Sequence, residues 1–127
     1  MSKRLIELHA HDYSRLIVSD LSGHLLTDQP WFISFIQPQS HICHMMKKHL
    51  EELAAYFNGS IQFAYVNANA EEAENLRITY WAYSTPRSFL LDPKSKSAYL
   101  FHPTMPIVNE TVKWIEQREY LQSPLIF

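Results

Sequence analysis

The stretch that most restricts this chain is Trp31 to Ile36, WFISFI, which is apolar at every position but Ser34. A strand of that kind, rich in aromatic and β-branched residues, has no polar face to turn to water, so it belongs at the centre of a sheet covered on both sides. Pro38 ends it, because proline cannot donate to a ladder. Ser40 is then expected as the N-cap of a helix. In HICHMMKKHLEELAAYF, residues Ile42, Met45, Met46, Leu50, Leu53, Ala54 and Phe57 recur at helical spacing on one expected inner side, and Lys47, Lys48, Glu51 and Glu52 fall on the other. Asn58-Gly59 is a natural helix stop. The unit is a buried strand, a short loop and a helix whose first turn carries the chain's only cysteine, Cys43.

The remaining segments repeat this alternation. Arg4 to His9 reads as a first strand, Asp12 to about Leu21 as a helix ended by Gly23, and Ile61 to Val66 as an alternating strand. Ala70 to Tyr80 is expected to be helical, with Glu71, Glu72 and Glu74 near its positive end and Arg77 near its negative end. Ser88 to Leu91 and Ser97 to Phe101 form a hairpin about Asp92-Pro93-Lys94-Ser95. A last helix runs from Ile107 to Tyr120 with Val108, Thr111, Val112 and Ile115 inward. The order β-α-β-α-β-α-β-β-α predicts an α/β sandwich, a mixed central sheet flanked by helices. With no repeat or linker in its 127 residues, the chain reads as one domain.

Composition removes several functional classes. A net charge of −2 with scattered bases gives no footprint for nucleic acid. No apolar run reaches the roughly 20 residues that a membrane-spanning helix needs, so no direct membrane insertion is expected. The start MSKRLIELHAHDY has neither the apolar core of a signal peptide nor the Arg-rich, acid-poor character of a transit peptide. With the lone cysteine, this points to cytoplasm or an organelle matrix, mitochondria included. The endoplasmic reticulum lumen applies if the chain is an excised domain. The triplets at Asn58 and Asn109 fit glycosylation acceptors, a motif of low specificity.

The strand-loop-helix unit and the later segment Ser84-Thr85-Pro86-Arg87 together resemble the thioredoxin family and the catalytic domains of protein disulfide isomerases. The family pattern lies without a gap on Phe35 to about Asn69, its Trp-Cys-x-x-Cys loop falling on Gln39-Ser40-His41-Ile42-Cys43 after Pro38. The family's aromatic residue followed at a fixed distance by a cis-proline falls on Tyr80 and Pro86. The resemblance implies a thioredoxin-like three-layer sandwich with a binding edge beside the helix start. The departures fall on the chemistry. Ser40 stands where the family has its nucleophilic cysteine, Ser34 replaces its buried acid, Tyr65 replaces that acid's lysine neighbour, and Trp81 fills a position usually held by glycine. Dithiol exchange is not open to a chain with one cysteine.

Cys43, at the family's resolving position, is either a monothiol redox or sensing site or a small packing residue, and with no activating base in view packing is preferred. His41, Cys43, His44 and His49 are metal-ligand types, yet their spacing does not complete a closed four-ligand site. No metal or cofactor is expected. Candidate binding residues are Gln39, Ser40, His41, Ile42, Thr85 and Pro86, with Ile36, Tyr83 and Trp81 as further apolar lining. The tail from about 121 to 127 ends in Leu125-Ile126-Phe127, which either folds back onto the domain or docks on a partner. The expected function is a redox-inactive thioredoxin-fold module that binds protein partners in a larger assembly. The alternatives are a monothiol oxidoreductase using Cys43 and a chaperone-like peptide binder.

Overall fold

The computed structural model describes residues 5–9, 12, 28–37, 39–79, 85–95, 97–103, 105–122 and 124–125. The helix expected after Asp12, the residues Tyr80, Trp81 and Tyr83, and the terminal Ile126 and Phe127 lie outside them. In chain order the elements are β1 (Leu5–Glu7), β2 (Trp31–Ile36), α1 (His41–Phe57), β3 (Gln62–Asn67), a 3-10 turn (Glu71–Ala73) leading into α2 (Glu74–Thr79), β4 (Arg87–Asp92), β5 (Ser97–Phe101), α3 (Val108–Glu116), a second 3-10 turn (Glu119–Gln122) and β6 (Pro124–Leu125). The strands form one mixed sheet in the order β1-β3-β2-β4-β5-β6. β3 pairs parallel with β1 and β2, while β4, β5 and β6 add antiparallel neighbours.

The all-apolar β2 is buried along its whole length. Period-two alternation distributes its side chains over two cores. Trp31, Ile33 and Phe35 join Ala64, Val66, Phe89, Leu91 and Ala98 on one face, where Ala73 of the first 3-10 turn packs. Phe32 joins Phe63, Leu90, Tyr99 and Phe101 on the other face, covered by Leu50, Leu53 and Ala54 of α1 and Ile115 of α3. Phe32 meets the rings of Phe63 and Phe101 at centroid distances of 5.4 and 5.6 Å. Ile36, at the far end of β2, closes a smaller cluster with Cys43 and Met46.

α1 differs from expectation in which side it buries. Its inner line is Cys43, Met46, Leu50, Leu53 and Ala54, whereas Ile42 and Met45 are each 45% exposed. The helix has turned about its axis so that the small thiol, rather than the branched Ile42, meets the end of β2. Lys47, expected on the solvated face, instead lies over the ring of Tyr65 at 4.4 Å from its centroid. The stop at Asn58 is as the sequence indicates: its backbone is left-handed, and its N–H donates to the Ala54 carbonyl.

Three further boundaries move. The segment expected to be helical from Ala70 opens as the 3-10 turn and becomes α-helical at Glu74. The last helix stops at Glu116 and not at Tyr120, because Arg118 takes a positive φ of 58° that no α-helix continues through. The chain beyond turns back as a 3-10 turn, and Pro124 and Leu125 pair with Tyr99 and Ala98 as an edge strand. Proline is tolerated there because an edge leaves one row of amides unused.

Candidate functional site

The expected site lies where β2 gives way to α1. The Ser40 N–H donates to the Gln37 carbonyl at 3.0 Å. Ser40 sits at the N-cap with extended backbone, and its carbonyl accepts the His44 N–H at 3.2 Å, so the helix starts where the sequence indicates. Its hydroxyl, however, makes no capping hydrogen bond. The first turn of α1 also contains no acidic residue to meet the helix dipole. Gln39 is exposed and its Oε1 accepts the Asn69 side-chain amide at 2.9 Å, which ties the turn to the end of β3.

Cys43 is 1% exposed, and its Sγ accepts the Gln37 backbone N–H at 3.2 Å. Ile36 and Met46 enclose it, with Met105 packed against the cluster. The neighbours His41, Ile42 and His44 are exposed, so α1 buries the thiol and leaves both imidazoles outside. This separation is the reverse of what a shared metal site needs, and no cluster of metal-ligand residues occurs among the described residues.

Deeper in the strand, Ser34 and Ser88 are both fully buried and stand opposite each other in the β2–β4 ladder. Their hydroxyls are 2.6 Å apart. Each therefore satisfies the other, and a position that would strand an unpaired polar group becomes an uncharged one. Tyr65 lies beside Ser34 in the β2–β3 register. Its OH donates toward Glu7 Oε1 at 3.4 Å while its ring carries Lys47.

The same ladder pairs Phe35 with Arg87. Thr85 and Pro86 come just before Arg87, so they adjoin the end of the sheet where β2 leads into α1. The Thr85–Pro86 peptide is cis, and both residues are half-buried. Gln39, Ser40, His41, Ile42, Thr85 and Pro86 thus belong to one end of the sheet. Leu125 does not: its backbone pairs with β5 beside Ala98.

Two features of this end carry no short-range signal in sequence. His9, just past β1, has its Nδ1 2.7 Å from Glu72 Oε1 and its Nε2 3.9 Å from Glu7 Oε2, and its N–H donates to Asp12 Oδ2 at 3.3 Å. The hydrogen bond to Glu72 raises the imidazole pKa above its usual value, against the opposing effect of desolvation and with help from the charges of Glu7, Glu72 and Asp12. The other feature is the apolar pair Ile42 and Met45, exposed on the first turns of α1 beside the turn.

No protein-family model and no curated protein sequence matches this chain. Solved structures do. The J-Trx1 fragment of ERdj5 superposes with a TM-score of 0.71 at 18% identity, over 91% of this chain and 50% of that one. The Trx4 domain of ERdj5 gives 0.66 at 15% identity over 93% and 97%, and full-length ERdj5 gives 0.68 at 15% over 94% and 16%. The chain spans half the length of the J-Trx1 fragment and most of the Trx4 domain. Identities this low speak for architecture and leave the chemistry of a site to its own residues. The chain has a thioredoxin-like α/β fold, a mixed sheet between helical layers.

Proposed function

We propose that this chain is a redox-inactive thioredoxin-fold module that binds a protein partner, as a subunit of a larger assembly, through the face around the start of α1. The observation that carries the reading is the burial of Cys43: a thiol 1% exposed, under Met46 and Ile36, presents no sulfur to a substrate disulfide. The helix start, where the dipole would activate a thiolate, carries the Ser40 hydroxyl instead. A chain with one cysteine, and that one enclosed, suits a reducing or an oxidising compartment equally. Exposed Ile42 and Met45 supply apolar area beside the polar rim of Gln39, Ser40 and His41, the anatomy of a protein-binding patch. Thr85 and Pro86 border it at the sheet end.

The test is native size in a gentle lysate of the source, followed by crosslinking. The reading predicts a particle of fixed stoichiometry far above 14.9 kDa, and its loss in the Ile42→Glu, Met45→Glu double variant. Migration of the unaltered protein near its monomer mass would overturn it. If the double variant stays in the particle, the partner uses another face.

A further inference from the structure

The opposite end of the sheet carries a concavity that none of the foregoing uses. It opens between the β4–β5 turn and the turn after α3, beside Pro30 at the entry to β2, and has a volume of about 480 Å³. That is within the roughly 300–1,000 Å³ of small-molecule sites. Its floor is apolar, made by Ile61, Leu90 and Ile115, each less than 10% exposed. Its rim carries two cations from separate turns, Lys94 and Arg118, both exposed and neither in an ion pair among the described residues. The one carboxylate in the lining, Asp92, is 7% exposed and turned into the hairpin, where its Oδ1 accepts the Lys94 backbone N–H at 3.0 Å.

Arg118 is the second, independent sign. Its φ of 58° is the left-handed conformation that glycine or asparagine adopts at least cost after a helix. A long charged side chain at that position loses backbone freedom for nothing in the core, because Arg118 is exposed. What the position gains is a guanidinium at the mouth of an apolar groove, the donor best suited to a carboxylate.

We propose that this groove binds a small amphipathic carboxylic acid, its apolar body on Ile61, Leu90 and Ile115 and its carboxylate between Lys94 and Arg118. Lys94 and Arg118 against Asp92 leave the lining with a net positive charge, so the sign of the ligand is set by the site. The size and the buried floor set its apolar body at about that of one aromatic ring with a short chain.

Three probes with one body and different heads test it: 4-phenylbutyrate, 4-phenylbutan-1-ol and 4-phenylbutylammonium, titrated into methyl-labelled full chain and followed by NMR. The acid should shift the Leu90 and Ile115 methyls saturably and bind about tenfold more tightly than the alcohol, the discrimination one charge-assisted hydrogen bond supplies. The ammonium should bind more weakly than the alcohol. In the Lys94→Gln, Arg118→Asn double variant, where asparagine keeps the left-handed backbone, the acid should fall to the affinity of the alcohol. Equal binding of all three heads, shifts centred on Ile36 and Met46, or no saturation would each overturn the proposal. So would an unchanged preference for the acid in a double variant whose amide spectrum shows it folded.

Discussion

The two ends of the sheet use their polar groups in opposite ways. At the end where β2 enters α1, polar atoms are turned on one another: Gln37 N–H on the Cys43 sulfur, Asn69 on Gln39, the two hydroxyls of Ser34 and Ser88, and even the exposed His9 on Glu72. At the other end, Lys94 and Arg118 stand over an apolar floor without an ion pair among the described residues. The end where β2 enters α1 has its thiol enclosed and its polar groups paired, and unspent charge is found at the other. What each end can do is decided by the side chains it presents and not by the architecture they share.

The largest effect expected of this contrast is on the reactivity of Cys43. A thiol at 1% exposure reacts only when α1 or its neighbours open, so the native protein should be alkylated at least about a hundredfold more slowly than the urea-unfolded chain at the same pH. Labelling within tenfold of the unfolded rate would show that this end opens readily, and the monothiol reading would return. A smaller effect concerns the serine pair. Ser34→Ala should cost about 1–3 kcal/mol, because it leaves the Ser88 hydroxyl buried and without its partner. The Ser34→Ala, Ser88→Ala double variant should be less destabilised than the sum of the singles, since removing both partners leaves no orphan. Strict additivity in urea unfolding would mean that the hydroxyls are not coupled.

At the other end the sign reverses. Arg118→Gly should stabilise the protein by about 1 kcal/mol, because glycine takes the left-handed backbone without the side-chain clash an L-residue suffers there. The same change should weaken binding of the acid probe, which sets stability against binding at a single residue. A loss of stability would show instead that the arginine side chain is held by contacts that repay its backbone.

Much of this architecture is legible in the sequence, because its signals are local. The apolar run of β2, the periodicity of α1 and the Asn58 stop each follow from residues close in sequence. What was not legible depends on partners far apart along the chain. Periodicity places Ile42 and Met45 inward, and only the packing of Met46 and Cys43 against Ile36 decides that α1 rotates them outward. The early end of α3 depends on the conformation of Arg118, a residue type that gives no warning of a stop. The groove assembles Ile61, Leu90, Lys94, Ile115 and Arg118 from three separate stretches of the chain, and nothing in their spacing marks these as neighbours. The match of Ser34 to Ser88 likewise waits on the register of β2 with β4.

The smallest effect expected is a pH dependence at the enclosed end. The bond from His9 to Glu72 holds the imidazole pKa above its unfolded value of about 6.5. The folded state therefore binds the proton more tightly than the unfolded chain, and the contribution is fully present below about pH 6.5 and lost as pH rises through the folded value. Both side chains are 44% exposed, so screening keeps the gain to a fraction of a kcal/mol. Comparing the unaltered protein with His9→Gln in urea unfolding, the difference in stability should be measurable at pH 5.5 and should fade by pH 8.5. It should also shrink in 1 M salt, where the Debye length is about 3 Å. A difference that grew toward high pH would mean that the neutral imidazole is the form the fold prefers, and that the Glu72 bond is not what holds His9 in place.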